Sequence, residues 1–491
     1  MRPSEEPIKR GVWRVARLRT YMLIVFILAI GCTGCAGKSL NPGTETPSES
    51  AHASATTLKV LYATVEAGSE AVIHAAENYE QQTGIHVEVS TFPYNSLQEK
   101  VFTELSRMSS EYDLIAIDTP WMPKIIQHLE PMTSYIRKAE STTGMDDFIA
   151  KLFLDTSVFD KDTPQRAPIA LDTINLDQIT AAGFDVWSLP IQSNVLTVSY
   201  RKDLFQDEAN RAAFKKRFKR ELAIPNTLEE YEDIAKFFTR DINGDGTIDM
   251  YGTTLMAGKH ESNFVDYKSF LSDFGGKLFD ENLHPVFNSE SGVKALETYG
   301  GWILRRKVTS PDVLSYTWDE VEIAFGFGQA AMGMNVHDMK LHPNVKGGQV
   351  GYFMLPGVKQ GDKLVRGPHF GSWGLAINKY SEQKEAAYVL ADYLTSADVQ
   401  RDYLQFRQHV TRKSAYVAAK KMNDESLREY YEVLGRSLSI GVGRPRINNY
   451  DQVSEAVQTA VQQYLTGKKD ARTALDEAAS KVDRLMKESG Y

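Results

Sequence analysis

Oxygen-bearing side chains recur at alternate positions of one short segment that ends at Gly252. They are Asp241, Asn243, Asp245, Thr247 and Asp249, with Gly246 at the sixth position. This spacing is typical of a calcium-binding loop, in which oxygen ligands surround the ion and a glycine permits a sharp turn. Position 12 is Gly252 and not the usual bidentate glutamate, so water or another part of the chain would complete the ligand set. The segment predicts a structural Ca²⁺ site, and the alternative is a solvated turn rich in Asp and Asn.

Aromatic residues with polar neighbours form a second group of candidates. The rings are Tyr94, Trp121, Trp187, Trp318 and Trp373, and the polar candidates are Asp118, Asn335, His337 and Asp338. A sugar ring has an apolar C–H face and a polar rim, so its binding sites combine aromatic faces with polar side chains. We expect two or three of the five rings to line a cleft, because a tryptophan taken alone is more often part of a core. For His337 and Asp338, a hydrogen bond that stabilises a hinge is an equal alternative.

Motifs of common enzyme classes are missing from the sequence. It contains neither Gly-x-Ser-x-Gly nor His-Glu-x-x-His, and residues 326–331 match a dinucleotide fingerprint only weakly because an expected helix precedes them. The sequence therefore predicts a binding protein and not an enzyme. Glycoside hydrolysis requires only two carboxylates at a suitable separation, and the chain has 64 Asp and Glu residues, so a carbohydrate hydrolase stays open as an alternative.

The N-terminus carries the pattern of an export signal. An apolar run at 21–31 follows five basic residues and is too short to span a bilayer as a mature helix. It ends at Cys32 and resembles a bacterial lipobox, which implies cleavage before a cysteine that carries lipid; Cys35 is the second choice. A buried helix or a plain membrane anchor is the alternative. Residues 36–56 have almost no large apolar side chain, so we expect a signal peptide at 1–31 and a disordered tether at 32–57.

Composition limits the classes of function. The chain has 491 residues, 42% of them hydrophobic, which is enough for two ordinary domains. Both cysteines lie in the export segment, so the exported body contains no disulfide and no thiolate metal site. Removal of 1–31, which has six Lys or Arg and two Asp or Glu, changes the net charge from −8 to −12. An acidic body repels phosphate backbones, so nucleic acid is not an expected partner.

Strands alternate with helices in the first half of the chain. We expect strands at about 58–63, 86–92 and 112–117, separated by helices of which the first ends at Gly84. Such alternation requires crossover connections and favours an α/β fold with mostly parallel sheets covered by helices. Further on, Thr227 and Glu230 have the spacing of a capping box and predict the start of a helix. The second half is more helical, with strands expected at 331–336, 349–355 and 373–378.

Taken in order, these segments resemble the extracellular solute-binding proteins, family 1, which serve carbohydrate ABC importers of Gram-positive bacteria. The resemblance runs from about residue 58 to the C-terminus, and its segments are 112–115, 189–205, 224–231, 241–252, 274–276, 328–332 and 371–377. It implies a two-lobed periplasmic-binding-protein-like fold of type II, with the ligand cleft between the lobes. We place lobe one at 58–187 plus 337–380 and lobe two at 188–336 plus 381–491.

The resemblance also implies a function. A lipid-anchored monomer at the outer face of a Gram-positive cell membrane would capture a sugar or oligosaccharide and deliver it to the permease subunits of an ABC importer. Closure of the lobes would create the surface that the permeases recognise. Two alternatives stay open: the surface hydrolase, and a ligand-sensing lipoprotein that is coupled to a membrane kinase.

Overall fold

The structure is a computed structural model that describes residues 57–64, 66–139 and 144–491. The expected signal peptide, Cys32, Cys35 and all of the expected tether except Thr57 lie outside the described residues. Within the described ranges, no helix combines the length and the apolar composition that crossing a bilayer requires.

The strands lie mainly in two sheets. Within the described residues they are β1 Thr57–Ala63, β2 His86–Phe92, β3 Leu114–Asp118, β4 Leu129–Glu130, β5 Val158–Phe159, β6 Asp185–Val186, β7 Leu189–Val195, β8 Thr197–Arg201, β9 Met332–Asn335, β10 Val350–Met354, β11 Val358–Gln360, β12 Lys363–Val365 and β13 Phe370–Asn378.

Helices cover both sheets. Within the same ranges they are α1 Glu66–Thr83, α2 Tyr94–Ser106, α3 Met122–Ile125, α4 Thr133–Lys138, α5 Ala150–Ser157, α6 Leu176–Ala181, α7 Lys202–Gln206, α8 Glu208–Phe218, α9 Leu228–Phe238, α10 Glu261–Asp273, α11 Glu290–Leu304, α12 Trp318–Gly326, α13 Lys384–Leu394, α14 Ala397–Asp402, α15 Lys413–Ala419, α16 Glu425–Ile440, α17 Tyr450–Leu465 and α18 Ala471–Glu488. The capping box expected at α9 is present: Thr227 accepts from the Glu230 N–H, and the Glu230 carboxylate accepts from the Thr227 N–H.

The first sheet has the strand order β2-β1-β3-β13-β4, and β7 pairs with β13. The β1 strand runs parallel to β2 and β3, as expected, whereas β13 runs antiparallel to β3, β4 and β7. The reason lies in the chain path. After β7 the chain leaves this sheet, and with β13 it returns at the same end of the sheet. The two strands lie side by side but carry the chain in opposite directions, so they are antiparallel.

The second sheet has the order β10-β8-β9, and both of its pairs are antiparallel. The two-lobed α/β architecture predicted from the sequence is confirmed, but the expectation that each sheet is mostly parallel is wrong for both: the first sheet has two parallel and three antiparallel pairs, and the second has antiparallel pairs throughout its described strands. Alternation of strands and helices indicates crossovers only when consecutive strands pair with each other. Here β9 is more than 100 positions from β8, so local alternation carries no information about their direction.

Two separate hydrophobic cores define the lobes. Lobe one contains residues 57–195 and 370–440 of the described chain, lobe two contains 196–369 and 447–491, and residues 441–446 connect them. Tyr352 of β10 in lobe two packs with the core of lobe one. This division differs from the predicted one in three places: β7 and helices α13 to α16 belong to lobe one, and β10 belongs to lobe two. Sequence periodicity identifies a strand or a helix but not the sheet against which it packs.

The chain crosses between the lobes three times, and the three crossovers lie side by side. The Leu196 N–H donates to the carbonyl of His369 at 2.9 Å. The Phe370 N–H donates to the carbonyl of Val442 at 3.0 Å, and the Val442 N–H donates to the carbonyl of Pro368 at 2.9 Å. Adjacent, hydrogen-bonded connections of this kind form a hinge about which two lobes can rotate.

Candidate ligand-binding site

A cavity of about 390 Å³ lies between the lobes. Lobe one contributes Ala63, Tyr94, Asp118, Asn194 and Trp373 to its wall. Lobe two contributes His260, Val265, Trp318, His337 and His369, and Arg444 reaches the wall from the third crossover. Pockets of this size and position are typical sites for small molecules.

Aromatic rings from both lobes meet at this cavity. The ring of Tyr94, at the start of α2 in lobe one, lies 5.8 Å from Trp318 and 6.2 Å from His260 of lobe two, centroid to centroid. It also lies 6.0 Å from Trp373, on β13 in lobe one. The contacts are edge-to-face, a favourable arrangement for aromatic pairs. The aromatic wall is therefore continuous across the lobe boundary in this arrangement of the lobes.

Arg444 connects the two lobes through buried ion pairs. Its guanidinium pairs with Asp118, which ends β3 in lobe one, and with Glu261 at 3.3 Å, which begins α10 in lobe two. The Tyr94 hydroxyl donates to the second oxygen of Asp118 at 2.8 Å. One chain of contacts thus runs from the aromatic wall through Asp118 and Arg444 to the opposite lobe.

The pKa shifts around Arg444 follow from burial and from these pairs. Burial lowers the pKa of Arg444, but the charges of Asp118, Tyr450, Tyr94 and Glu261 outweigh burial and hold it well above the usual value. Burial raises the pKa of Glu261, and Arg444 opposes that rise. Burial and the nearby Asp118 carboxylate also raise the pKa of Tyr94. The Tyr94 hydroxyl therefore keeps its proton and acts as a hydrogen-bond donor.

Two histidines of the cavity wall are neutral. The Ser262 N–H donates to Nδ1 of His260 at 3.2 Å, so this ring accepts a bond at the N-terminus of α10. Burial lowers the pKa of His260 to about 4. Burial, followed by the charges of Lys268 and Arg444, holds the pKa of His369 well below its usual value. At neutral pH these two rings therefore present imidazole donors and acceptors without positive charge.

Three buried polar atoms in or directly behind the wall have no hydrogen-bond partner within the described residues. They are Arg444 Nε, His369 Nδ1 and Trp121 Nε1. A buried polar atom without a partner costs about 1 to 3 kcal/mol. Arg444 and His369 line the cavity, so a polar ligand there would supply their missing bonds, whereas Trp121 lies behind the wall.

The titration of His260 gives a testable pH dependence. Its folded pKa of about 4 lies below its unfolded value of 6.5, so the unfolded chain takes up the proton first as the pH falls. Stability from this group is fully present above pH 6.5 and is lost as the pH falls through about 4, by on the order of 3 kcal/mol. His260→Asn keeps a helix cap but cannot titrate, so its melting temperature should fall less between pH 6.5 and 4. An equal fall of the melting temperature in both proteins between pH 6.5 and 4 would contradict the assignment of this pH dependence to His260.

The structure brings five of the nine predicted ligand-binding residues to the cavity wall. They are Tyr94, Asp118, Trp318, His337 and Trp373. A sixth residue, Trp121, lies directly behind the wall, 1% exposed, with its ring 5.3 Å from both Tyr94 and Trp373. It supports the wall and does not line it.

The other three predicted residues have different partners. Trp187 lies in the core of lobe one and donates from Nε1 to the carbonyl of Phe159 at 3.0 Å. Asn335 donates to the carbonyl of Trp318 at 2.9 Å and so positions that residue from β9.

Asp338, the last of the three, takes part in an interlobe contact. It forms an ion pair with Arg407 of lobe one at 3.1 Å and accepts from the Tyr352 hydroxyl at 2.8 Å. For Asp338, the hinge-stabilising alternative agrees with the structure better than the ligand contact does.

Sequence reasoning missed several polar wall residues, among them Arg444, Asp319, His260, His369 and Asn194. Their sequence surroundings give little signal. His369 and Arg444 lie on connections between lobes, and His260 looks like an ordinary residue before a helix. Arg444 is the one residue of this group that the sequence could have indicated. The segment 441–446 combines two glycines and a proline with two arginines, as expected of a charged connection between lobes.

The predicted calcium loop lies outside this cavity, and its carboxylates accept bonds from the loop's own backbone. Asp241 accepts from the N–H groups of Gly244 and Gly246, and Asp249 accepts from those of Ile242 and Asn243. Backbone bonds lower the pKa of Asp241 and likewise that of Asp245. Across the described residues, no three or more His, Cys, Asp or Glu side chains are arranged to hold a metal. The calcium site therefore stays a prediction.

Comparisons with known proteins agree with this architecture. The profile of the family described as "Bacterial extracellular solute-binding protein" matches residues 62–401. A relative from Sinorhizobium fredii, named "Probable amino-acid ABC transporter periplasmic-binding protein", is 24% identical over 438 residues, which are 87% of this chain and 89% of that protein.

Solved structures show the same fold. The maltose-bound MalE3 of T. maritima has a TM-score of 0.69 and 23% identity, and the match covers 88% of this chain and all of that one. A Thermotoga lettingae solute-binding protein bound with alpha-D-tagatose has a TM-score of 0.70 and 23% identity over the same shares. The resemblance inferred from the sequence is confirmed. With a family profile that spans most of its length and a cavity between two lobes, this chain belongs to the bacterial extracellular solute-binding proteins.

Proposed function

We propose that this protein captures a small uncharged carbohydrate or polyol between its lobes and delivers it, chemically unchanged, to an ABC importer. The observation that carries the proposal is the cavity enclosed by Tyr94, Trp318 and Trp373 from both lobes, with polar groups beside the rings. Aromatic faces suit the C–H face of a sugar, and the polar groups suit its hydroxyls. The maltose and tagatose bound by the solved neighbours support this ligand class.

The charges of the cavity favour a neutral ligand over the amino acid in the relative's name. An amino acid brings a carboxylate and an ammonium, and each requires a partner of opposite charge. Arg444 is already paired with Asp118 and Glu261, and burial keeps His260 and His369 neutral. To pair with Arg444, the carboxylate of an amino acid would have to break buried ion pairs, which costs several kcal/mol.

The protein would capture its ligand because the ligand contacts both lobes. A ligand that touches Trp373 of lobe one and Trp318 of lobe two stabilises the closed arrangement by the difference between its closed-state and open-state affinities. Rotation about the three adjacent crossovers would provide the opening. The closed form would then be the one that permease subunits recognise.

We also propose the cellular setting. A lipid on Cys32, or on Cys35 as the alternative, would hold a monomeric protein at the outer face of a Gram-positive cell membrane. The basic residues, the short apolar run and the following cysteine support this setting, together with the extracellular family.

The alternatives are testable against this proposal. For the hydrolase, the carboxylates in or beside the cavity wall include Asp118, Asp319 and Glu261. Asp118 and Glu261 are ion-paired with Arg444, so neither is an unpaired acid that faces the ligand space. A sensor coupled to a membrane kinase would bind the same ligands. Loss of sugar uptake on gene deletion would support transport, whereas retained uptake with loss of a transcriptional response would support sensing.

A ligand panel tests the proposed class directly. Full-length protein is mixed with monosaccharides, disaccharides, sugar alcohols and amino acids, and melting temperature and product formation are followed. A ligand at 100 times its Kd stabilises the fold by about 2.7 kcal/mol. We expect at least one sugar or polyol to raise the melting temperature while remaining intact. Stabilisation by amino acids alone would overturn the ligand class, and released product would overturn binding without turnover.

We further propose that residues 241–249 bind Ca²⁺ as a structural clip on lobe two. A carboxylate has about four lone-pair sites, and the backbone bonds of the loop use only one or two of them on each Asp, so coordination capacity remains. The ion would offset the repulsion among Asp241, Asp245 and Asp249.

Melting temperatures measured with Ca²⁺ and with a chelator test the proposed Ca²⁺ clip. We expect Ca²⁺ to raise the melting temperature of the natural protein relative to excess chelator, and Asp245→Ala to abolish the difference. Asp280→Ala is the matched control, because Asp280 is also an exposed turn residue that accepts backbone N–H bonds, and it should keep the response. Identical curves for the natural protein with Ca²⁺ and with chelator would remove the proposal.

A further inference from the structure

Helix α8, Glu208–Phe218, and the residues after it form the most basic surface segment of lobe two. Six of the ten residues 211–220 are basic: Arg211, Lys215, Lys216, Arg217, Lys219 and Arg220. We call them the α8 basic surface. They occur on a chain with a net charge of −8, and of −12 without residues 1–31, so this surface is opposite in sign to the protein as a whole. Such a local excess orients a protein in the field of an anionic partner.

The α8 helix offers charge to a partner but no apolar face. Its buried residue is Phe214, which packs edge-to-face on Phe237 of α9, and Phe218 stacks on Phe214. The exposed side of the helix carries small alanines beside Lys216. With its apolar side packed in lobe two, α8 can lie against a flat surface but cannot insert into it.

Some side chains of the α8 basic surface have partners within the protein, and others are exposed to solvent. Lys215 pairs with Glu221, and Arg220 donates to the Glu230 carbonyl at 3.0 Å. In contrast, Lys216 and Lys219 are exposed, and no carboxylate in the described ranges lies within ion-pair distance of either.

The position of Lys219 adds to this observation. It ends α8 in the left-handed conformation, with a φ of 58°, which glycine adopts at lower cost. A basic side chain therefore occupies a position where a glycine would be more stable. Local helix stability does not explain this choice.

Three basic residues in the last turn of α8 complement the helix dipole, and Asp207 and Glu208 do so at its start. The dipole falls off within one turn and does not account for Lys219 and Arg220 beyond the helix end. A surface with several exposed basic side chains and no exposed apolar face is suited to bind a flat surface that carries many anionic groups.

From these observations we propose that the α8 basic surface docks lobe two on anionic lipid headgroups. Lys216, Arg217 and Lys219 make the contact. Each basic residue near an anionic bilayer favours the docked state by about fivefold, so three together favour it by roughly 100-fold.

The docked population rests on the proposed lipid anchor. The 25 residues from Cys32 to the first strand reach at most about 90 Å, so an anchored chain keeps lobe two within range of the bilayer. Anchoring raises the effective concentration, and a weak contact is then populated. The function of the docking would be to orient the protein on the membrane that holds its importer.

Lysine footprinting on vesicles tests the docking. Full-length protein is bound to vesicles of phosphatidylcholine alone, or with about one-third phosphatidylglycerol, and acetylated briefly before mass spectrometry. We expect acetylation of Lys215, Lys216 and Lys219 to slow by at least about fivefold on the anionic vesicles. Lys420 and Lys421, exposed in lobe one, are the internal controls and should not slow. High salt should remove the effect, because the Debye length falls to about 3 Å at 1 M.

Charge reversal separates this surface from overall charge. Lys216→Glu, Arg217→Glu and Lys219→Glu together should remove the slowing at Lys215, which remains in the variant as a reporter. The control Lys346→Glu, Lys420→Glu and Lys421→Glu has the same net charge and should keep it. Equal acetylation on both vesicle types, or slowing that survives the first variant, would overturn the proposal.

Two further outcomes have a defined meaning. Protection by soluble dextran sulfate but not by anionic vesicles would assign the surface to an anionic polymer and overturn the lipid assignment. Sedimentation of the protein with neutral vesicles tests the lipid anchor separately from docking. An excess of anionic vesicles tests docking of the α8 basic surface also for a chain that carries no anchor.

Discussion

Replacement of Arg444 by methionine is expected to destabilise the protein by about 3 to 5 kcal/mol and to abolish ligand binding. The side chain is 6% exposed and pairs with Asp118 in one lobe and Glu261 in the other. Methionine would fill the space but leave two buried carboxylates without a cation. Burial already raises the pKa of Glu261 against the opposing charge of Arg444, so without that charge its pKa should rise further.

Denaturant unfolding and calorimetric titration with a panel ligand measure this effect. Arg306→Met is the matched control, because Arg306 pairs with Glu232 at 2.7 Å but is half exposed, and exposed pairs contribute about 0 to 1 kcal/mol. Adding Asp118→Asn and Glu261→Gln to Arg444→Met should recover much of the stability, since the stranded charges are gone. Recovery of stability without recovery of binding would show that Arg444 acts in both.

Replacement of Trp318 by alanine is expected to weaken ligand binding by at least about 30-fold, which corresponds to about 2 kcal/mol. Trp318 is the tryptophan that lobe two contributes to the cavity wall, and it faces Tyr94 of lobe one and His260. Its loss removes the apolar surface on which a ligand ring would pack and opens the aromatic wall. Stability should change less, because the ring is only partly buried.

The control for Trp318→Ala lies at the end of the same helix. Phe327 follows α12, is 51% exposed and stacks on His342 away from the cavity. Phe327→Ala should leave the affinity within a factor of about two. If Trp318→Ala binds as tightly as the natural protein, the aromatic wall does not hold the ligand and the site must be sought elsewhere.

Local sequence patterns predicted many elements of the fold. The strand at 86–92 and the capping box of Thr227 and Glu230 were predicted at the positions where the structure has them. Both depend on neighbours within a few positions, because alternation and helix capping arise from short-range backbone geometry.

Partners distant in the sequence were not predictable in this way. The pattern at 189–195 is that of a strand in either lobe, and only its pairing with β13 assigns it to lobe one. Trp121, Trp187 and Trp373 look alike as aromatic residues near polar ones. Their fates differ because one supports the cavity wall, one packs in a core and one lines the wall.

By itself, the sequence determined that this is an acidic two-lobed α/β protein of the solute-binding family, with tyrosine and tryptophan candidates for a ligand site. The tertiary structure decided where the chain crosses between lobes and which cation holds the cavity together. Asp118 and Arg444 are 326 positions apart, and their ion pair exists only because β3 and the third crossover end at the same boundary. Periodicity records which side of an element is buried, whereas an ion pair between lobes depends on how whole elements are arranged in space.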